Sequence, residues 1–289
     1  MYRKILVPLD GSKLAEQILP LAHSLATAMQ ASVELLRVND LEKITAYAPP
    51  LQGTEYLDEV SKKYFSPATP IDKTVELGSA AAVIVDRASS DPACVIAMAT
   101  HGMSGVRRWL IGSVASKVVQ TSANPLLLIR PVEPIDPSAR GEIKFIFVPL
   151  DGSGLAEKAL HHAVELAKQL KCELHLMRIY TLPANAFVLA DGVIGQGPAQ
   201  FRESMEQEAT TYLNGKVEEL RATGFTGVVA TAIEGDPASE IIDIDVKTPN
   251  SMIVMSTHGR SGVGRWVLGS VAEKVVQHSG APVLLIRAA

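Results

Sequence analysis

Residues 100–130 read THGMSGVRRWLIGSVASKVVQTSANPLLLIR, and residues 257–287 repeat this stretch with identity at 22 of 31 aligned positions. Each copy predicts a glycine-rich loop, a helix that begins at Gly112-Ser113 or Gly269-Ser270, and a short apolar strand. A helix N-terminus presents unpaired N–H groups, and glycine lets an anion approach the backbone. The stretch therefore favours phosphate binding, although Gly-Ser before an apolar helix is also an ordinary helix cap.

The loop before each helix repeats more residues than a helix cap requires. Both copies carry a second glycine, a histidine and an arginine ahead of the helix. These residues are Gly102, His101 and Arg108 in the first copy, and Gly259, His258 and Arg265 in the second. Their recurrence strengthens the interpretation that the loop holds an anionic ligand.

Length and composition indicate an ordinary globular chain of two domains. The 289 residues suit two cores of usual size, and a formal charge of −4 gives no basic footprint for nucleic acid or an anionic membrane. Cys94 and Cys172 lie in apolar runs at non-equivalent places, which suits thiols of a reducing compartment. Pro8 and Asp10 interrupt the first apolar run, so we expect no signal peptide and a cytoplasmic location.

Each half alternates short apolar strands with amphipathic helices, which predicts a doubly wound parallel sheet of five strands. The first strand of each half ends at Asp-Gly-Ser, where Ser12 and Ser153 can cap the following helix. Pro20 predicts a kink in the first of these helices, whereas the second has His161 in that place.

The repeat also predicts how the chain is divided and joined. We expect one domain at residues 1–131, a Pro-rich linker at 132–142 and a second domain at 143–289. If the first and fourth strands are neighbours, Asp10 faces the loop at His101-Gly102, and Asp151 faces His258-Gly259. Pairing the final strands of the two halves, residues 126–129 and 283–286, would relate the halves by a pseudo-twofold axis and cover two apolar edges.

The chain resembles the tandem form of the universal stress proteins, over essentially its whole length. The resemblance is carried by that family's ATP-binding pattern G-x2-G-x9-G-[ST]: nine residues separate Gly102 from Gly112-Ser113, and nine separate Gly259 from Gly269-Ser270. The first glycine of the pattern is Ala99 in one half and Ser256 in the other. We expect this departure to alter the contact with the nucleotide but not to abolish it.

The resemblance implies two Rossmann-like domains of the adenine nucleotide alpha hydrolase type, and a nucleotide site in each. Asp10 and Asp151 would bond the ribose or organise a Mg²⁺ ion. The adenine would contact Pro8, Leu9, Val38 and Met98 in the first half, and Pro149, Leu150, Ile179 and Met255 in the second. Ala99 and Ser256, at the first glycine position, would contact the nucleotide in an altered way. The triphosphate would contact His101, Gly102, Arg108, Gly112, Ser113 and Val114, and likewise His258, Gly259, Arg265, Gly269, Ser270 and Val271.

Each of these assignments has a structural alternative. Either aspartate could cap a helix, the apolar residues could be core, the histidines could bond a backbone carbonyl, and the arginines could be solvated. The resemblance implies a regulator of the stress response that binds ATP, AMP or ADP, with no catalytic residue assigned and a homodimer possible. A slow ATPase or phosphotransferase, and an interaction module without nucleotide, are the other hypotheses. No downstream protein partner is indicated.

Overall fold

A computed structural model of the chain describes residues 2–39, 53–102, 111–134, 141–182, 198–259 and 268–287. In the first half the strands are β1 (Lys4–Pro8), β2 (Ser32–Asn39), β3 (Ile71–Leu77), β4 (Cys94–Ala99) and β5 (Leu126–Ile129). Its helices are α1 (Lys13–Glu16), α2 (Leu19–Met29), α3 (Thr54–Tyr64), α4 (Ala80–Ser89) and α5 (Ser113–Thr121).

The second half repeats this order. Its strands are β6 (Phe145–Pro149), β7 (Glu173–Tyr180), β8 (Val228–Glu234), β9 (Ser251–Ser256) and β10 (Val283–Ile286). Its helices are α6 (Gly154–Leu170), α7 (Pro198–Ala222), α8 (Pro237–Ile242), α9 (Ile244–Lys247) and α10 (Ser270–His278). None of the described helices is long and apolar enough to cross a membrane.

The described strands form one continuous sheet in the order β3-β2-β1-β4-β5-β10-β9-β6-β7-β8. Neighbouring strands are parallel within each half, and β5 and β10 pair antiparallel with Leu127 opposite Leu284. The predicted parallel sheets, the adjacency of first and fourth strands and the pairing of final strands are all confirmed. The carboxyl ends of β1 and β4 therefore lie side by side, as do those of β6 and β9.

Successive strand residues face opposite sides of the sheet, and each side has its own apolar core. Ile5 and Val7 of β1 pack with α2, α3 and α6, whereas Leu6 packs with α4 and α5. Each core contains residues from both halves, so the halves share apolar burial in addition to the strand pairing.

Pro20 has a larger effect than the predicted kink. The chain forms two separate helices, α1 and α2, with Pro20 in the first turn of α2, where its missing N–H leaves no helix bond unmade. With His161 in the equivalent place, α6 runs without a break for 17 residues.

Candidate functional site

The first site is formed where Asp10, Gly102 and Gly112 meet, and the second where Asp151, Gly259 and Gly269 meet. Gly102 lies so close to Asp10 that a Cβ atom on the glycine would collide with Oδ2 of the carboxylate. In the second site a Cβ on Gly259 would lie 2.5 Å from Oδ2 of Asp151. The structure thus places each aspartate against its loop glycine, as the repeat predicted.

The aspartates do not cap the helices that follow them. Asp10 Oδ1 accepts hydrogen bonds from the backbone N (2.9 Å) and the hydroxyl (2.6 Å) of Ser12. The same Ser12 hydroxyl accepts from Ala15 N at 3.1 Å, and so caps α1. Asp151 and Ser153 repeat this arrangement with distances of 2.9 and 2.6 Å. Serine is therefore the cap, while Oδ2 of each aspartate is directed towards the glycine of the loop.

The helices α5 and α10 of the repeated stretch each begin beside the end of the preceding strand, β4 or β9. Gly112 precedes α5 and donates its N–H to Thr100 O at 2.8 Å, and Gly269 precedes α10 and donates to Thr257 O at 2.9 Å. A Cβ on Gly112 would lie 3.0 Å from that carbonyl oxygen, which only glycine avoids without a backbone shift. The N-cap residue of each helix is a glycine, which has no side chain to bond the first amides. First-turn amides of this kind are suited to an anion.

The first helical residues and the histidines lie around these amides. Ser113 and Ser270 are exposed at the first helical position. Nδ1 of His101 is 3.0 Å from the Thr100 hydroxyl, and the same contact in the second half is 3.1 Å. Nε2 of His258 is buried and has no hydrogen-bond partner among the described residues. A buried nitrogen of this kind fits a ligand acceptor beside the loop.

The apolar residues predicted to contact the nucleotide divide between the two sides of the sheet. Val38, Met98 and Val114 belong to one apolar cluster, at the ends of β2 and β4 and the start of α5. Ile179, Met255 and Val271 repeat them in the second half. The side chains of Leu9, Ala99 and Leu150 pack in the core on the opposite side. Pro8 and Pro149 end their strands, half-buried. The residues placed together beside the start of α5 are therefore Val38, Met98 and Val114. Those beside the start of α10 are Ile179, Met255 and Val271.

The first position of the glycine pattern differs between the two sites. Ser256 is 7% exposed, and its hydroxyl donates to the carbonyl of His258 at 2.6 Å. Ala99 at the equivalent place has no hydroxyl to make this bond. The second loop therefore has a hydrogen bond that the first cannot form through this position.

Beneath the aspartate turn of the first half lies an arginine that the sequence did not single out. Gly11 has a φ of +87°, and a Cβ there would lie 2.5 Å from Nη1 of Arg37, so the guanidinium packs directly against the turn. Arg37 also lies over the ring of Tyr56, 5.4 Å from its centroid. Burial raises the pKa of Tyr56, and the negative charges of Glu16 and Asp10 raise it further. These groups form one charged cluster under the first site.

The second half contains the corresponding cluster with one additional ion pair. Arg178 lies 4.8 Å from the ring centroid of Tyr212 and pairs with Glu208 at 2.7 Å. Tyr212 donates to Glu157 at 3.1 Å. Arg37 and Arg178 directly precede Val38 and Ile179 in the two halves, and this recurrence is the signal by which the sequence could have identified them.

Two predicted phosphate contacts, Arg108 and Arg265, lie outside the described residues. The described part of the chain contains no cluster of three His, Cys, Asp or Glu side chains that could hold a metal ion. A Mg²⁺ ion at Asp10 or Asp151 would need further oxygen ligands, which a bound phosphate can supply.

The family model for the universal stress protein family matches residues 1–130 and again residues 142–287. The chain belongs to the universal stress protein family. Universal stress protein MJ0531 of Methanocaldococcus jannaschii is 31% identical over 144 residues, which cover 50% of this chain and 82% of that protein. Universal stress protein YxiE of Bacillus subtilis is 32% identical over 148 residues, which cover 49% of this chain and 97% of that protein.

Among solved structures, a universal stress protein of Archaeoglobus fulgidus is similar over 99% of both chains. Its TM-score is 0.72 and its sequence identity is 20%, so this likeness concerns the fold alone. The single-length relatives each match about half of this chain, whereas this structural neighbour spans both halves. The structural similarity to this universal stress protein therefore extends over both halves of the chain.

Proposed function

We propose that each half of this universal stress protein binds one adenine nucleotide, as ATP or as AMP or ADP, and that occupancy regulates its role in the stress response. The observation that carries this proposal is the meeting, in both halves, of an aspartate turn with an uncapped helix that begins at glycine. The helix amides suit phosphate oxygens, and the aspartate suits the ribose hydroxyls.

The remaining side chains fit parts of the same ligand. Val38, Met98 and Val114 offer an apolar surface for the base beside the helix start. A bare carboxylate next to phosphate would repel it, so Asp10 requires a hydroxyl or a cation between them. Mg²⁺ entering with the nucleotide would supply that cation, and Arg108 and Arg265 would add positive charge.

A slow ATPase is the second candidate, and one observation favours it. The buried Nε2 of His258 has no partner among the described residues, which leaves it suited to orient a water molecule or a phosphate oxygen. In this case the second site would turn over ATP and the first would be slower or inactive.

The division into domains at 1–131 and 143–289, with a linker at 132–142, forms part of the same proposal. The antiparallel pairing of β5 with β10 joins the two proposed nucleotide-binding units within one chain. A homodimer of the whole chain would therefore use another surface.

Titration of ATP with Mg²⁺ by isothermal calorimetry tests the proposal. The unsubstituted chain should bind two nucleotides, Gly112→Val and Gly269→Val one each, and the double variant none. The added side chain would press on Thr100 O or Thr257 O and displace the helix start. Gly215→Val is the matched control, since a Cβ at Gly215 meets nothing within 4 Å.

Each outcome assigns the function differently. Two binding events lost one at a time support nucleotide binding in both halves, and phosphate release measured on the same samples separates a regulator from an ATPase. No binding of ATP, ADP or AMP at millimolar concentration would contradict the proposal and favour an interaction module.

A further inference from the structure

Each half carries an arginine that reaches across the central strand pair to the other half. Nη1 of Arg287 donates to Ser122 O at 2.7 Å and to Gln120 O at 3.0 Å. Nη1 of Arg130 donates to His278 O at 3.4 Å. Arg130 and Arg287 occupy equivalent positions in the repeated stretch, so the two contacts are reciprocal.

The carbonyls that accept these bonds lie at the C-terminal ends of α5 and α10. These are the two helices whose N-termini begin at Gly112 and Gly269. The last carbonyls of a helix lack partners within the helix and form the negative end of its dipole. A guanidinium from the other half therefore donates hydrogen bonds to these carbonyls and offsets the negative end of the helix dipole. This is the end of the helix opposite to the proposed phosphate site.

The same arginines are connected to the loop of their own half. Arg130 follows Ile129, whose carbonyl accepts from Thr100 N at 2.8 Å, and Arg287 follows Ile286, whose carbonyl accepts from Thr257 N at 2.9 Å. The carbonyls of Thr100 and Thr257 accept hydrogen bonds from the N–H groups of Gly112 and Gly269. These bonds are made by backbone atoms alone, so they do not depend on the guanidinium of Arg130 or Arg287.

We propose that Arg130 and Arg287 are positioning residues that act across the two halves. Arg287, in the second half, holds α5 so that its first amides are in place for the ligand of the first site. Arg130 does the same for α10 and the second site. This inference rests on the proposed function, because it assumes that these helix starts hold phosphate, and neither arginine touches the ligand.

Single-site backgrounds make the proposal measurable. In Gly269→Val only the first site remains, and adding Arg287→Gln should weaken its affinity for MgATP about threefold to tenfold, the range set by a charge at a helix end. Adding Arg130→Gln to the same background should change that affinity less than about twofold. In Gly112→Val the two arginines should exchange roles. Each arginine is therefore the matched control for the other.

Arg287→Lys keeps the charge with fewer donors and should give an intermediate affinity. Urea unfolding of every variant identifies those that lose the fold, and only folded variants are compared. Equal weakening of the remaining site by Arg130→Gln and Arg287→Gln would overturn the proposal, because a general loss of stability does not distinguish the sites. No weakening by the cross-half arginine would overturn it as well.

Amide hydrogen exchange tests the same inference without a nucleotide. Arg287→Gln should accelerate exchange in α5 but not in α10, and Arg130→Gln should do the reverse. Absence of ATP binding to the unsubstituted chain would contradict the proposed function, whereas exchange that is unchanged or equal in both helices would contradict the positioning role. The two failures are therefore distinguishable.

Discussion

The hydroxyl of Tyr2 lies 2.7 Å from Nδ1 of His162, so the residues just before β1 are hydrogen-bonded to α6 of the second half. The two rings are also stacked, with centroids 5.7 Å apart. Tyr2 is 6% exposed, and burial raises the pKa of its hydroxyl, which therefore stays protonated. This contact lies at the α2–α6 side of the sheet, where the two halves share one core.

Tyr2→Phe should lower the free energy of unfolding by about 1–2 kcal/mol, because it removes the bond and leaves a half-buried ring nitrogen without this partner. Urea unfolding at pH 7.5 measures this loss. A double-mutant cycle with His162→Gln should show that the two single losses are not additive. Additive losses would mean that the pair contributes no interaction of its own.

Acidification should weaken the fold through His162. Burial lowers the pKa of His162, and the neighbouring His161 lowers it further, so the folded pKa lies below the unfolded value of about 6.5. The unfolded chain then binds more protons between these two values, and the free energy of unfolding falls as the pH drops below about 6.5. His162→Gln should reduce this pH dependence, whereas Gln at the exposed His161 should retain most of it. Equal pH dependence in all three chains would contradict the assignment.

Glu34 in β2 is expected to be the most sensitive charged residue of the first half. It is 1% exposed, pairs with Lys4 at 2.5 Å and with Arg87, and accepts from Thr74 at 2.9 Å. Burial alone would raise the pKa of Glu34, but these hydrogen bonds and charges outweigh it and lower the pKa. Glu34→Gln should cost about 2–4 kcal/mol in urea unfolding at pH 7.

The same network provides the control for Glu34. Glu76 also pairs with Arg87, but its side chain is 34% exposed, so Glu76→Gln should cost less than about 1 kcal/mol. His175 occupies the place of Glu34 in the second half, where it contacts Phe145 and Phe147 instead of cations. Similar losses for Glu34→Gln and Glu76→Gln would show that burial of the carboxylate is not decisive.

The repetition in the sequence was sufficient to predict the sheet but not the contacts between its halves. Pro125 and Pro282 precede short apolar runs, and β5 and β10 have the predicted bounds because proline limits a strand. The prediction that Asp10 lies opposite Gly102 followed from the strand order alone. By contrast, the contact between Arg287 and Ser122 joins residues 165 apart in sequence. Hydrophobic periodicity indicates which face is buried, not which long side chain crosses it.

The apolar part of the site shows the same limit. The resemblance grouped Leu9 with Val38, but alternation along parallel strands sends their side chains into cores on opposite sides of the sheet. The charged cluster of Arg37, Tyr56 and Glu16 comes from a strand and two helices, and no single stretch of sequence indicates it. The recurrence of Arg37 as Arg178, and of Glu16 as Glu157, is the clue that the sequence offers.

Gly102→Ala should impair the first site without unfolding the chain. Its methyl group would collide with Oδ2 of Asp10 and push the carboxylate out of place. We expect the affinity of the first site for MgATP to fall about tenfold or more, and Gly259→Ala to affect the second site in the same way. Gly215→Ala, in the open middle of α7, should instead raise the free energy of unfolding by about 0.5–1 kcal/mol. Unchanged affinity in both alanine variants would mean that the aspartates do not contact the ligand.

Ser256→Ala should make the second site resemble the first. It removes the 2.6 Å hydrogen bond from the hydroxyl to the carbonyl of His258, which fixes the loop that leads into Gly259. A loop that must be ordered on binding lowers affinity, so we expect MgATP binding at the second site to weaken about threefold to tenfold. The measurement is best made in Gly112→Val, where only the second site remains. Tighter binding by Ser256→Ala would show that the hydroxyl obstructs the nucleotide instead of ordering the loop.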